Sequence, residues 1–131
     1  MLHVNNDSLN IFHANVNGLD CDQHFSTLHN FISSNPIEFD IINISETSQQ
    51  VDENFVKNIN IDSYKQPYTT ETILMYIKDK YTSFERNDLK IRDNDFEGVW
   101  AEIINEKSKN IICGCVYIDT QEQILNHLMH I

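Results

Sequence analysis

The chain has 131 residues, 40% of them apolar and 10% aromatic, which is enough for one domain with its own core and too much for a disordered tail. Nine Lys and Arg against twenty Asp and Glu give a formal charge of −11. That balance opposes tight nonspecific binding to a polyanion, whose affinity comes mostly from cations placed on phosphate.

In chain order, "LNIFHAN" predicts a strand over 9–14 with Asn15 at its end. Asn17-Gly18 would suit a two-residue hairpin. Phe25, Leu28, Phe31 and Ile32 follow at helical spacing, however, with Asp20 or Asp22 placed to cap, so the expectation is a loop leading into a helix over 23–34. Asn15 is thereby delivered to the point where a strand becomes a loop. Pro36 stops the helix, and the nearly continuous apolar run of "IEFDIINIS" predicts a strand over 38–44 covered on both faces. Residues 51–58, "VDENFVKN", read as a polar loop or short solvated helix. "TILMYIK" predicts a strand over 72–78, whereas the charged residues 79–97 suggest no element. Two apolar runs over 98–104 and 110–117 predict an antiparallel pair, joined by the polar stretch from Asn105 to Asn110, with Gly114 as a candidate bulge. Thr120 and Gln123 stand at capping-box spacing, and Ile124, Leu125, Leu128 and Met129 form one face of a closing helix over 120–130.

Cys21, Cys113 and Cys115 make an odd set, no signal-peptide pattern precedes them, and no apolar run nears the ~20 residues that cross a bilayer. The sequence therefore predicts an intracellular protein, soluble or attached through a partner, that does not itself enter a membrane. Cys113 and Cys115 alternate onto one face of a strand, as two buried thiols do. His127 and His130 lack further metal ligands and read as solvent-facing or packing residues, and His13 as a strand residue.

Two helices and about five strands make an α/β layered domain. The succession "NIFHANVNGL", a helix, "FDIINISET", "ILMYIKD", "VWAEI", "IICGCVYI" and an amphipathic helix resembles the N-terminal half of the endonuclease/exonuclease/phosphatase superfamily. It is most similar to the endonuclease domains of non-LTR retrotransposons, over roughly residues 8 to 131. Order and spacing carry the resemblance, because no single motif exceeds four or five residues.

The resemblance implies the N-terminal half of a four-layer α-β-β-α sandwich, with about five strands in one mixed sheet and two main helices. It implies Mg²⁺-dependent (or Mn²⁺-dependent) phosphodiester hydrolysis, with Asn15, Glu46 and Tyr117 at catalytic positions and Glu46 as metal ligand. DNA is the implied partner of a complete domain. The chain departs from the family where relatives follow the tyrosine with Arg-Pro-Pro and this sequence reads Ile118-Asp119-Thr120. A Gly-rich approach to the third strand is replaced by "TTETILMYI", and the Gly-Asp-x-Asn and Ser-Asp-His segments of the family's second half do not occur in residues 1–131. The expectation is a truncated DNA endonuclease-like domain, inactive by itself and binding metal and DNA weakly or not at all. The competing reading is a noncatalytic acidic protein-interaction domain on a remnant of that fold. An inner sheet face made by Ile11, Ile42, Ile44, Leu74, Tyr76, Trp100 and Ile103, or by their alternating neighbours, would lack its covering half, which predicts self-association or a covering partner.

Overall fold

The computed structural model describes residues 8–16, 22–45, 59–92 and 96–118. The first strand forms as β1 (Ile11–Asn15) and the helix as α1 (Asp22–Ser34), which carries the chain back so that β2 (Ile41–Ser45) lies parallel to β1. A parallel return of this kind needs a crossover, and α1 supplies it. Next come β3 (Tyr68–Thr69) and β4 (Ile73–Ile77), both antiparallel to their neighbours, which completes a mixed sheet in the order β1-β2-β4-β3.

All five residues of β2 and all five of β4 are buried, as expected of strands covered on both faces. One face presents Ile42, Ile44, Leu74 and Tyr76 to Ile32 of α1, to Phe39, and to Ile59 and Ile61, with Phe25 and Leu28 packed at the margin. The buried Tyr76 hydroxyl donates to the Ile59 carbonyl at 2.7 Å, so the aromatic body fills the core while its polar tip is satisfied. Ile41, Ile73, Met75 and Ile77 form the other face.

That other face meets a second sheet. It is built from β5 (Ser83–Glu85), β6 (Ile91–Arg92), β7 (Phe96–Ile103) and β8 (Ile111–Ile118). All its pairings are antiparallel: β7 carries β8 along one flank and both β5 and β6 along the other. Val99, Ala101, Ile103 and Cys115 turn inward and close a core with Ile41, Ile73, Met75 and Ile77. Each fully buried aliphatic side chain there contributes about 1.5–3 kcal/mol of transfer free energy.

Four expectations are corrected. The strands form two sheets rather than one mixed sheet, because the turn after β4 carries the chain away from the first sheet. Tyr81 fixes that turn by donating to the buried Asp40 carboxylate at 2.6 Å, and its N–H bonds the Lys78 carbonyl at 3.1 Å. Residues 79–97 hold β5, β6 and the start of β7, short strands created by pairing with β7 rather than by local propensity. The inter-sheet face is covered from within, so the apolar residues of β2 and β4 need no outside partner. Gly114 is no bulge: it pairs with Trp100 in an unbroken eight-pair register, and the indole lies across it. The predicted helix over 120–130 and the segment 51–58 lie outside the described residues. Among the described residues no helix is long and apolar enough to cross a membrane.

Candidate functional site

Asn15 ends β1 and stands opposite Ser45, the last residue of β2, in the parallel register. Pairing continues one step further, since the Val16 N–H donates to the Ser45 carbonyl at 3.1 Å. Alternation along β1 puts His13 and Asn15 on the face that Ile41 turns toward the second sheet. There His13 Nε2 lies 3.1 Å from Ser45 Oγ. Asn43 sits one pair back on the same face, almost fully buried, and its Oδ1 has no hydrogen-bond partner among the described residues. The two parallel strands thus end in a polar stripe of His13, Asn15, Asn43 and Ser45. Glu46 is the next residue in the chain and lies outside the described residues.

Tyr117 comes to the same end of the molecule through a different chain of contacts. On β8 it pairs with Glu97 of β7, half-buried against the inter-sheet core. A single oxygen of Glu97, Oε2, accepts from Thr70 Oγ1 at 2.7 Å, from Thr72 Oγ1 at 2.8 Å and from the Thr72 N–H at 3.3 Å. Thr72 directly precedes Ile73, and Ile73 pairs with Ser45. Register and hydrogen bonds therefore lead from Asn15 through Ser45, Ile73, Thr72 and Glu97 to Tyr117 at one pole of the two-sheet core.

Glu97 was not singled out by the sequence, where it falls in a charged stretch with no expected element. Its signal was the period of two: 97, 99, 101 and 103 share the inward face of one strand. The carboxylate is committed to three donors from the Thr70–Thr72 turn, which makes it a structural tie between the sheets. Ile118, which follows Tyr117 in the chain, is 41% exposed.

Cys113 and Cys115 share the inward face of β8, and burial pushes both thiols up to about 11. Cys113 also donates to the Ala101 carbonyl at 3.6 Å. Cys21, His127 and His130 lie outside the described residues, among which no group of three or more His, Cys, Asp or Glu is arranged to hold a metal.

A cavity of about 290 Å³ opens at the opposite pole, where α1 ends and β2 begins, lined by His29, Ile32, Phe39, Ser63, Tyr64 and Lys78. Two of its polar groups are engaged within it: the Lys78 ammonium, its pKa lowered by burial, pairs with Glu38, and the Tyr64 hydroxyl donates to the Phe39 carbonyl. No protein-family model and no curated protein matches the chain.

Proposed function

We propose that this chain carries part of the active site of a metal-dependent phosphodiesterase of the endonuclease type, with Asn15, Glu46 and Tyr117 in catalytic positions. The observation that supports it most is the parallel register of Asn15 with Ser45, the residue before Glu46, at the pole to which Tyr117 also belongs. The resemblance to the N-terminal half of a four-layer α-β-β-α sandwich belongs to the same reading, with α1 and the two sheets as three of its layers.

The oxygen donors suit a hard divalent cation, which takes one or two carboxylates and completes its shell with water and phosphate oxygens. Glu46 would hold Mg²⁺ or Mn²⁺, and the bound ion would supply Lewis-acid polarisation of a phosphoryl oxygen. The Asn15 carboxamide would orient a phosphate or a water without changing the local charge. The Tyr117 phenol would donate a hydrogen bond to negative charge developing on the phosphate.

At the same pole Glu97 Oε2 is held by Thr70 and Thr72 and His13 lies against Ser45, while the Gly-Asp-x-Asn and Ser-Asp-His segments that would supply the family's nucleophile activation and leaving-group stabilisation do not occur in residues 1–131. Nucleophile activation and leaving-group stabilisation are each typically worth about 10²-fold or more. Purified residues 1–131 are therefore expected to nick duplex DNA no faster than background in Mg²⁺, and a charge of −11 to keep DNA binding weak. Nicking that EDTA and Glu46→Gln both abolish would show instead that the site is complete.

A second reading, a noncatalytic acidic protein-interaction domain, is favoured by that charge and by the 49% and 41% exposure of Ile112 and Val116 on the outer face of the second sheet. Binding of Mg²⁺ that depends on Glu46 separates the two.

A further inference from the structure

The cavity beside the end of α1 holds about 290 Å³, the small end of the range for small-molecule sites, so it suits a ligand of amino-acid size rather than a nucleotide. Ile32, Phe39 and Ile61, all buried, give it an apolar floor, and the Lys78 ammonium shares the lining with a side chain only 10% exposed. A buried ammonium needs a counter-ion held in good geometry. Its partner Glu38 is instead 68% exposed, a solvated carboxylate on the rim that a ligand can share or displace. Burial and the neighbouring Lys80 charge both lower the Lys78 pKa, so a further carboxylate would favour its charged form. On one side the wall is already fixed, because the Tyr64 ring lies with its centroid 5.7 Å from Lys78 Nζ and its hydroxyl is bound to the Phe39 carbonyl.

A simple carboxylate does not match the rest of the lining. Asp62 joins Glu38 at the rim, and α1 ends here with no basic residue in its last turn, so two carboxylates and the negative end of a helix stand around one lysine. His29, also in the wall, has its Nδ1 3.5 Å from Ser33 Oγ. The turn that carries Asp62 is shaped in advance: the Tyr64 N–H closes it on the Ile61 carbonyl at 3.1 Å, Ser63 takes a φ of 73°, and the Asp79 N–H holds the Ser63 carbonyl at 2.9 Å. Opposite charges side by side in the wall call for opposite charges side by side in the ligand.

We propose that this cavity binds a small zwitterion, a free α-amino acid with an aliphatic side chain. Its carboxylate pairs with Lys78, its ammonium with the rim carboxylates Glu38 and Asp62, and its side chain lies against Ile32, Phe39 and Ile61. The site is at the pole away from Asn15 and Tyr117 and does not depend on their assignment.

Calorimetric titration of the 131-residue chain with L-leucine tests this, beside isocaproate, isoamylamine and glycine, which lack the ammonium, the carboxylate and the aliphatic side chain in turn. L-leucine is expected to bind with a dissociation constant of about 10 µM to 1 mM, in keeping with its few heavy atoms, and each of the others about tenfold more weakly or worse. Lys78→Met keeps an unbranched chain without the charge and should weaken L-leucine about tenfold or more. Glu38→Gln removes both the partner of the ligand ammonium and the competitor for Lys78, so isocaproate should gain on L-leucine by about threefold, a change of selectivity that loss of folding does not give. Thermal unfolding checks each variant, and if Lys78→Met does not fold, Glu38→Gln decides alone. No binding of L-leucine at about 10 mM, isocaproate or isoamylamine binding as tightly as L-leucine, an unchanged affinity in folded Lys78→Met, or an unchanged selectivity in Glu38→Gln would each overturn the proposal.

Discussion

Trp100 and Gly114 are one structural unit divided between two strands. A Cβ at Gly114 would overlap the six-membered ring of Trp100, and one at Gly98 would lie 3.3 Å from the indole nitrogen. The two glycines form the bed on which the indole lies flat, and Trp100 Nε1 is buried there without a hydrogen-bond partner among the described residues. Gly114→Ala should therefore destabilise the fold by about 1–3 kcal/mol, the range for overpacking a filled site. Gly114→Ala combined with Trp100→Leu should cost less than the sum of the two single changes, as read from urea unfolding midpoints. The thiols on the other face of β8 make a second prediction. Burial raises Cys113 and Cys115 to about 11, and Tyr64 to about 12 by burial and the nearby Asp40 charge. Each group is an acid whose neutral form the fold favours, so between its unfolded and folded pKa the native state holds more protons than the unfolded state. Stability is fully present below the unfolded thiol value near 9 and falls as pH rises through that window, with the tyrosine extending the loss toward 12. Urea midpoints at pH 8, 9, 10 and 11 should decline in that order, and at pH 8 the native thiols should react with iodoacetamide far more slowly than the unfolded chain.

The turn between β3 and β4 is held to β7 by the three donors that converge on one oxygen of Glu97. Glu97→Ala leaves two hydroxyls and an N–H to find other partners and should cost about 1–3 kcal/mol, whereas Glu97→Gln, which keeps an acceptor oxygen, should cost less. Denaturant unfolding of the two variants gives the order, and equal losses would mean that the carboxylate's bonds carry little of the effect. This contact also shows what the sequence revealed and what it concealed. β2, β4, β7 and β8 are written as runs of apolar residues, because each is buried on at least one face and its composition follows. β3, β5 and β6 hold two or three residues each, and only their pairing with a longer strand makes them strands. The division into two sheets was hidden for a related reason. It depends on the turn where Tyr81 reaches Asp40, residues 41 positions apart in sequence, and no local pattern announces such a contact. At the candidate site, Asn15 and Tyr117 were legible as strand-end residues. Glu97 was not, because a carboxylate in a charged stretch looks solvated until the alternation of Val99, Ala101 and Ile103 is carried two residues back.

At the scale of the whole molecule, charge and metal act on stability through different routes. A net charge of −11 on a domain of 15.3 kDa repels itself in the compact state, so raising ionic strength should stabilise the fold by screening. Mg²⁺ would do this too, and any specific contribution from Glu46 would appear only as the excess over NaCl at matched ionic strength. Linkage fixes the size of that excess. A site half-filled at the working concentration adds RT ln 2, about 0.4 kcal/mol, and one with a hundredfold excess of ligand adds about 2.7 kcal/mol. A single carboxylate beside a carboxamide binds Mg²⁺ weakly, so in a few millimolar Mg²⁺ the excess should stay at or below about 0.4 kcal/mol and vanish in Glu46→Gln. The measurement is thermal unfolding of the wild-type chain and the variant in MgCl₂ and in NaCl, with EDTA as baseline. An excess above about 2 kcal/mol that Glu46→Gln removes would mean that further ligands complete the metal site. An excess of the same size in both proteins would move the metal away from Glu46, and with it the assignment of that residue.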